Sequence, residues 1–470
     1  MQFLPELTLL GAGLIVFIIS LGKTSADTTR NVAIGLGAAV FVATLLSFCQ
    51  TGKLFFDAYQ VDLYSQVFKA LIAGAMLIVL IFGGSLKGID NSVRPEYYLF
   101  LFMSVLGLMM LVSSVELLSI FVALELSSFA VYIMVPMRDD RGNLKFQMEA
   151  GIKYLLFGVT ATGFMLFGMS YMYGLTGSTQ LSVVVEKLSL MYSQPAAVIA
   201  MMMVLAGFFY KLAIFPFHFW VPDVYEGASN ETTAFIASVP KLAAVALLIR
   251  LVSLINGEGQ VIVNVLMVCA VLSMFYGNLS ALVQKDVKRM LGFSGIAHAG
   301  FVLLGILTFQ ITGFANALYY IIGYVVMNLA CFLVICTVSQ KGENVMIDDL
   351  SGLYKRSPLM AFTLAVGLFA LAGIPPFVGF MGKFMILTSA LKEGYLLLVI
   401  LAAINTAIAI FYYLSVVRVT FCSDPEERVT ISSSLLTNAT SVFLLLVIVI
   451  MGVTPQRFVD FASTAVQTIM

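Results

Sequence analysis

The chain is poor in charge: only 11% of its 470 residues are Asp, Glu, Lys or Arg, whereas 61% are hydrophobic. So apolar a composition excludes a soluble globular domain. Basic and acidic residues balance at 25 each, so the net charge does not suggest nucleic acid or a strongly anionic surface as a partner. These absences leave an integral membrane protein.

Residues that commonly ligate metals and haem are also scarce. The cysteines are scattered without a CxxC pair, which argues against an iron–sulfur or zinc site. They are Cys49, Cys269, Cys331, Cys336 and Cys422. The chain has only two histidines, His218 and His298, which argues against a bis-histidine haem. We therefore expect no cofactor or metal in this chain.

Apolar stretches long enough to cross a bilayer as helices recur from end to end, without the period-two alternation of a barrel. They predict an all-α polytopic membrane protein of about 14 transmembrane helices, with residues 1–470 forming a single transmembrane domain. The first stretch lacks a basic leader and a cleavage site, so we expect a retained span. The segments are 5–22, 31–50, 62–83, 97–115, 117–136, 150–173, 196–217, 232–255, 260–283, 289–309, 312–339, 358–390, 395–420 and 431–453.

Basic residues in alternate loops separate into a rich side and a poor side. The rich side carries Lys23, Arg30, Lys87, Arg94, Arg138, Arg141, Lys145, Lys285, Lys288, Arg289, Lys341, Lys355, Arg356, Arg418 and Arg428. The poor side carries Lys53, Lys187, Lys392 and Arg457. The positive-inside rule then predicts that the first set is cytoplasmic and that both termini face the opposite compartment.

Interior prolines interrupt two of the long segments. Pro216 lies in the seventh segment, and Pro375 and Pro376 lie in the twelfth. Each proline removes a backbone donor, so both helices should be broken. The breaks are five segments apart, which suggests two repeats, and an odd number of spans per repeat implies inverted topology. The predicted repeats are 97–255, holding segments four to eight, and 260–420, holding segments nine to thirteen.

Ionisable residues inside the apolar segments are the main functional indication, because a charge near the bilayer centre costs about 2.5–3.5 kcal/mol on insertion scales. Lys211 lies five residues before Pro216, where loose carbonyls and water could surround an amine that gains and loses a proton. Glu125, in the middle of its segment, is the natural counter-ion. The alternatives are that Lys211 snorkels to an aromatic belt and that Glu125 only hydrogen-bonds helices together.

Two further lysines share the pattern of an amine beside a break. Lys241 follows Pro240, and Lys383 follows the sequence GIPPFVGFMG. His298 is flanked by small residues, so water or helices can approach its ring, which suits a proton relay. The alternatives are interfacial lysines at helix ends and a packed core histidine.

Weaker candidates have snorkelling as their structural alternative. They are Lys153 near the start of the sixth segment, Lys69 in the third and Arg250 near the end of the eighth. Asp223 and Tyr225, in the PDVYEG loop, could gate water access, although a loop aspartate is more often simply solvated.

Three stretches, KLAIFPFHFWVPDVYEGA, KRMLGFSGIAHAGF and AGIPPFVGFMGKF, resemble the antiporter-like membrane subunits of bacterial proton-pumping NADH:quinone oxidoreductase, respiratory complex I. The resemblance covers essentially the whole chain. The PDVY form and the short C-terminus are similar to the N-type subunits rather than the L and M types. One departure is GASNETTAF, where the family usually has prolines after GA.

The resemblance implies a proton-translocation site formed by Glu125, Lys211, Lys241, His298 and Lys383, with Lys153 matching a sixth-span lysine of N-type subunits. Lys69 matches no family residue. It also implies that NADH, FMN, iron–sulfur clusters and quinone belong to other subunits. Implied partners are M-type and L-type antiporter-like subunits, small K-type subunits and the lipid of the bacterial inner membrane. The alternatives are a subunit of a cation/proton antiporter or membrane-bound hydrogenase, or a structural anchor for assembly.

Overall fold

Nineteen α-helices make up most of the described chain in the computed structural model. The described residues are 1–22, 24–83, 85–139, 146–191, 194–254, 260–423 and 430–470. Four basic residues used to predict the orientation lie outside them, namely Lys23, Arg141, Lys145 and Arg428.

Every predicted segment overlaps a helix, but 196–217 extends past the end of its helix and 358–390 covers two helices with a break between them. The helices are α1 (Leu4–Ser20), α2 (Ala26–Leu46), α3 (Leu63–Phe82), α4 (Arg94–Ser113), α5 (Leu117–Met134), α6 (Phe146–Thr176), α7 (Leu181–Ser189), α8 (Pro195–Leu212), α9 (Trp220–Gly227), α10 (Asn230–Ser253), α11 (Gln260–Ala281), α12 (Val287–Ile306), α13 (Ile311–Val338), α14 (Leu353–Arg356), α15 (Pro358–Ala372), α16 (Val378–Lys392), α17 (Leu396–Cys422), α18 (Leu435–Val453) and α19 (Pro455–Gln467). Twelve helices of the described ranges are long and apolar enough to span a membrane, and α1 and α15 are shorter apolar helices. The helical membrane class is confirmed, whereas the number fourteen stays a prediction.

Local sequence explains where many helices begin. Proline occupies one of the first two positions of α1, α4, α8, α15 and α19, where its missing N–H costs nothing. Side chains that accept a hydrogen bond from the first turn cap other helices. Among these caps are Ser25, Asp62, Ser229, Asp286 and Ser434.

The one β-sheet in the described ranges is a small hairpin between α2 and α3. Its strands, β1 (Gly52–Leu54) and β2 (Tyr59–Val61), pair antiparallel with Gly52 opposite Val61. Strands of three residues are too short to give a period-two pattern, so the sequence did not predict them. The hairpin leads directly into Asp62, the cap of α3.

Burial divides the bundle into an inner and an outer layer. The apolar windows of α10, α12 and α13 are 100%, 94% and 89% buried, whereas those of α2 and α17 are 33% buried. A helix that is apolar all round is suited to a core position. The inner layer therefore holds Lys241 on α10 and His298 on α12, far from lipid.

The two predicted helix breaks have the same backbone pattern. α8 ends before Ala213, which is left-handed with φ 62°, and α15 ends before Gly373, with φ 89°. In both breaks the N–H of the next residue, Ile214 or Ile374, bonds back to a carbonyl five residues earlier. These are the hydrogen bonds of a Schellman-type ending, and each is followed by a proline-containing turn before α9 or α16 starts.

Arg138 fastens the far end of the first broken helix. Its Nη1 donates to the carbonyl of Glu226 at 2.8 Å and to those of Gly227 and Ala228 at 3.3 and 3.2 Å. Burial lowers the pKa of this guanidinium, but an arginine remains charged. A cation at a helix C-terminus complements the unpaired carbonyls, so Arg138 holds α9 in place.

Candidate functional site

Lys211 lies in the last turn of α8, directly before the break, and only 2% of it is exposed. Its Nζ donates a 2.8 Å hydrogen bond to the hydroxyl of Ser128 on α5. Ser128 in turn donates to the carbonyl of Leu124 at 2.8 Å. The snorkelling alternative is wrong, because the ammonium is in the core and the supposed belt residues His218 and Trp220 are buried as well.

Glu125 lies one helical turn before Ser128 on the same face of α5. Its carboxylate interacts electrostatically with Lys211, but no ion pair within 4 Å joins these two described residues. Its Oε1 has no hydrogen-bond partner in the protein. The acid therefore biases the charge on Lys211 through the low-dielectric core without fixing it in a contact pair.

Lys241 lies in the buried middle of α10, directly after Pro240. Its Nζ donates to the hydroxyl of Tyr324 at 3.0 Å and lies 4.9 Å from the centroid of that ring. Gly295 provides the space, because a Cβ there would lie 2.8 Å from the lysine nitrogen. Asn328 donates to the carbonyl of Ala237, in the turn that Pro240 disturbs. Lys241 is not an interfacial lysine.

His298 on α12 connects two tyrosines through both ring nitrogens. Nδ1 is 2.6 Å from the hydroxyl of Tyr320, and Nε2 is 3.2 Å from the hydroxyl of Tyr413. The ring also interacts electrostatically with Lys241 and Lys383. A neutral imidazole can accept a proton on one nitrogen and release one from the other, so this geometry suits transfer between the two lysines.

Lys383 reaches back from α16 into the second break. Its Nζ donates to the carbonyls of Leu371 and Ala372 at 3.0 and 3.1 Å, the last residues of α15. It also lies 5.1 Å from the centroid of the Phe301 ring. Gly373 permits this approach, since a Cβ there would lie 3.2 Å from the lysine Cδ. The freed carbonyls of the break thus hold a buried ammonium.

Lys153 is not part of this buried set. Its side chain is 37% exposed, and its Nζ lies 2.6 Å from both Glu149 and Asp223. Asp223 also pairs with Arg289 at 3.0 Å. Lys153 therefore belongs to a charge network at the edge of the bundle, where α6, α9 and α12 meet. Asp223, considered as a gate to water, belongs to the same network, whereas Tyr225 is fully buried.

Two buried ion pairs lie outside the axis of lysines. Lys69 pairs with Glu6 at 2.9 Å, with both side chains at 0% exposure. Arg250 makes two hydrogen bonds of 2.9 and 3.0 Å to the carboxylate of Asp62. Snorkelling is wrong for both basic residues, because a carboxylate from another element reaches each of them within the core.

The sequence reasoning missed the hydroxyls that contact the axis. Ser128 follows Glu125 by three residues, so helical periodicity could have placed it on the same face. Tyr320 and Tyr324 are four residues apart on α13, which could have indicated a shared face. Tyr413 carried no comparable signal. Within the described ranges, no cluster of three or more His, Cys, Asp or Glu side chains could hold a metal ion.

The site is typical of membrane proteins that move protons or small cations. It combines two helix breaks with three buried lysines, an intramembrane acid and a doubly hydrogen-bonded histidine.

Comparisons with known proteins agree with this class. The model of the family described as NADH:quinone oxidoreductase/Mrp antiporter, TM, matches residues 114–409. NADH-quinone oxidoreductase subunit N 2 of Opitutus terrae is 50% identical over 100% of this chain and 98% of its own length. The chain belongs to the NADH:quinone oxidoreductase/Mrp antiporter family, within its subunit N branch.

Solved structures have the same fold. A chain of respiratory complex I from Thermus thermophilus with bound aureothin is 28% identical, with a TM-score of 0.83, covering 98% of this chain and 99% of that one. A chain of the Mrp complex from Dietzia is 20% identical, with a TM-score of 0.87, covering 100% of this chain and 96% of that one. At that identity the second likeness shows the fold alone.

Proposed function

We propose that this chain is a non-redox subunit of NADH:quinone oxidoreductase that translocates protons while other subunits transfer electrons from NADH to quinone. The observation that carries the proposal is the placement of three lysine ammonium groups in the core, each held by neutral oxygens. They are Lys211 on Ser128, Lys241 on Tyr324, and Lys383 on backbone carbonyls. Among the described residues, no carboxylate forms an ion pair with any of the three, so each can lose and regain a proton.

The route that these contacts favour passes along the buried lysines. Protons taken up from one side occupy Lys211 and Lys241, pass His298 and leave through Lys383. Glu125 tunes Lys211 by its charge, so an electrostatic change from a neighbouring subunit can start the cycle. Lys153 stands at the outer end of this route, since its network includes Arg289, one of the basic residues predicted to face the cytoplasm.

The orientation and the surroundings are part of the proposal. The distribution of basic loops supports an orientation with both termini in the periplasm and the chain in the bacterial inner membrane. NADH, FMN, iron–sulfur clusters and quinone are assigned to other subunits. The partners are M-type and L-type antiporter-like subunits and small K-type subunits. The matching Schellman-type breaks in α8 and α15 support two inverted repeats, residues 97–255 and 260–420.

The test is proton pumping measured against quinone reduction in membranes that carry Lys211→Met or Lys383→Met, with assembly checked on native gels. We expect assembled complex that reduces quinone more slowly and moves fewer protons per electron pair. A matched control is Lys187→Met, since Lys187 is outside the axis and donates to the carbonyl of Thr176. Unchanged proton stoichiometry in both axis variants would exclude the route.

Cation/proton antiport is the second candidate, favoured by the fold shared with the Mrp complex chain. Vesicles containing this chain alone would then exchange sodium for protons. Sodium-dependent proton movement that Lys211→Met abolishes would favour antiport, whereas its absence would favour the pumping subunit.

A further inference from the structure

The buried polar groups fall into two sets with a gap between them. The first set is Glu125, Ser128 and Lys211, on α5 and α8. The second is Lys241 and His298 with their tyrosines, on α10, α12, α13 and α17. No hydrogen bond between described residues links the sets, although a proton must cross from one to the other in the proposed route.

Tyr225 lies in this gap. It belongs to α9, the helix after the first break, and its side chain has 0% exposure. Its hydroxyl has no hydrogen-bond partner within the protein. Leaving a buried hydroxyl unpaired is energetically costly, so a hydroxyl retained there calls for a partner such as water.

α12 aligns Tyr225 with the second set. A Cβ at Gly292 would lie 3.2 Å from the Tyr225 ring, so the ring packs directly on that glycine. Gly295, one turn further, faces the nitrogen of Lys241 and the hydroxyl of Tyr324, and His298 follows after another three residues. Three residues of helix rise about 4.5 Å, so Tyr225 stands one step before Lys241 along one face.

Other contacts agree with this placement. Tyr225 packs on Gly292, and the hydroxyl of Tyr324, beside Gly295 one turn further along α12, accepts a hydrogen bond from the ammonium of Lys241. On the other side, the ring of Trp220 lies between those of Tyr225 and Tyr154, with its centroid 6.4 Å from the Tyr225 ring and 4.7 Å from the Tyr154 ring.

Tyr154 belongs to the surroundings of the first set. Its ring centroid lies 5.0 Å from that of Tyr132 on α5, the helix of Glu125, and 5.7 Å from that of Tyr210, the residue before Lys211. Tyr132 is buried too, and its hydroxyl has no hydrogen-bond partner in the protein. Buried phenols thus extend from Glu125 to Lys241, and Tyr225 is the member that stands between the two sets.

We propose that the hydroxyl of Tyr225, bridged by water on either side, relays protons between the Glu125–Lys211 set and the Lys241–His298 set. This inference rests on the proposed function. In each transfer, the ammonium of Lys211 gives a proton to water on the Tyr154 side, and that water passes a proton to the phenol oxygen. The phenol O–H bond breaks toward water on the Tyr324 side, and that water protonates the neutral amine of Lys241. The tyrosine is regenerated with one O–H bond, and its re-orientation readies it for the next proton.

The test is Tyr225→Phe, which keeps the ring on Gly292 and removes only the hydroxyl. Pumping per assembled complex should fall about tenfold or more, the scale expected for losing a positioned proton-transfer group. The control is Tyr319→Phe on α13, because the Tyr319 hydroxyl donates to the carbonyl of Met451 outside this chain of phenols. It should pump as the unaltered complex does.

Two more variants separate a relay from a structural role. Gly292→Ala keeps the hydroxyl but pushes the ring away from α12, and should also lower pumping. Combined with Lys211→Met, Tyr225→Phe should cause no further loss, because both would lie on one path. Normal pumping in Tyr225→Phe, or an equal loss in Tyr319→Phe, would overturn the relay.

The two proposals fail in different ways. If Lys211→Met leaves pumping unchanged, the proposed function is wrong. If Lys211→Met lowers pumping but Tyr225→Phe does not, only the relay is wrong.

Discussion

The ammonium of Lys211 donates its 2.8 Å hydrogen bond to Ser128 on α5, although the carboxylate of Glu125 is only one turn from Ser128 on that helix. A contact ion pair would hold the proton on the lysine more firmly than a neutral hydroxyl does. The separation leaves Glu125 able to influence Lys211 at a distance. A shift of α5 or α8 would then change that influence, which is what an electrostatically driven pump requires.

Ser128→Ala should impair pumping because it removes the oxygen that holds the ammonium. Leaving a buried donor unpaired costs about 1–3 kcal/mol, which disfavours the protonated amine. We expect pumping to fall about tenfold while the complex still assembles. The comparison is Ser127→Ala, because the hydroxyl of Ser127 lies 3.1 Å from that of Ser104, whereas Lys211 donates its hydrogen bond to Ser128. Equal pumping by the two variants would show that the hydroxyl of Ser128 is dispensable.

Gly295→Ala should displace the ammonium of Lys241 by steric contact alone. The added methyl would lie 2.8 Å from the lysine nitrogen and 2.9 Å from the hydroxyl of Tyr324, so their hydrogen bond must move. Overpacking of this kind costs about 1–3 kcal/mol. Proton transfer should slow in proteoliposomes containing the complex. Gly163→Ala is the control, because no atom lies within 4 Å of that Cβ position. A normal rate in Gly295→Ala would contradict the proposed role of this contact.

Lys69→Met should reduce assembly rather than pumping per complex. The change leaves the carboxylate of Glu6 buried without its partner, and breaking a buried ion pair costs about 3–5 kcal/mol. The double variant Lys69→Met with Glu6→Gln removes both charges and should recover much of the assembled complex on native gels. If the double variant assembles normally but pumps poorly, the pair takes part in translocation.

Lys153→Gln should have a smaller effect than Lys211→Met. Lys153 is partly exposed, and exposed ion pairs contribute only about 0–1 kcal/mol. We expect pumping to fall modestly and to depend more on salt concentration, since its network with Asp223 and Arg289 is accessible to ions. Measuring pumping at low and high salt checks this. A loss of pumping as large as that of Lys211→Met would show that Lys153 is as important for proton transfer as the buried lysines.

Much of the site could be predicted from residue type and position. A lysine such as Lys211 or Lys383 in an apolar segment is conspicuous because burying its charge is costly. The phenols are not conspicuous in this way, since a neutral tyrosine carries no charge whose burial is costly. Lys153 and Lys69 show the limit of the argument from position. Each lies within a helix, but one reaches the surface network and the other meets Glu6 in the core.

The sequence by itself determined the helical membrane class, the two broken helices and the identity of the buried charges. Each follows from local quantities: apolar length, missing proline donors and the cost of charge in lipid. Only the tertiary structure decided which side chains form hydrogen bonds with the buried charges. Lys211 meets Ser128 and Lys241 meets Tyr324, each across 83 residues of chain. Such contacts depend on how helices pack, and no local pattern in the chain specifies which faces meet.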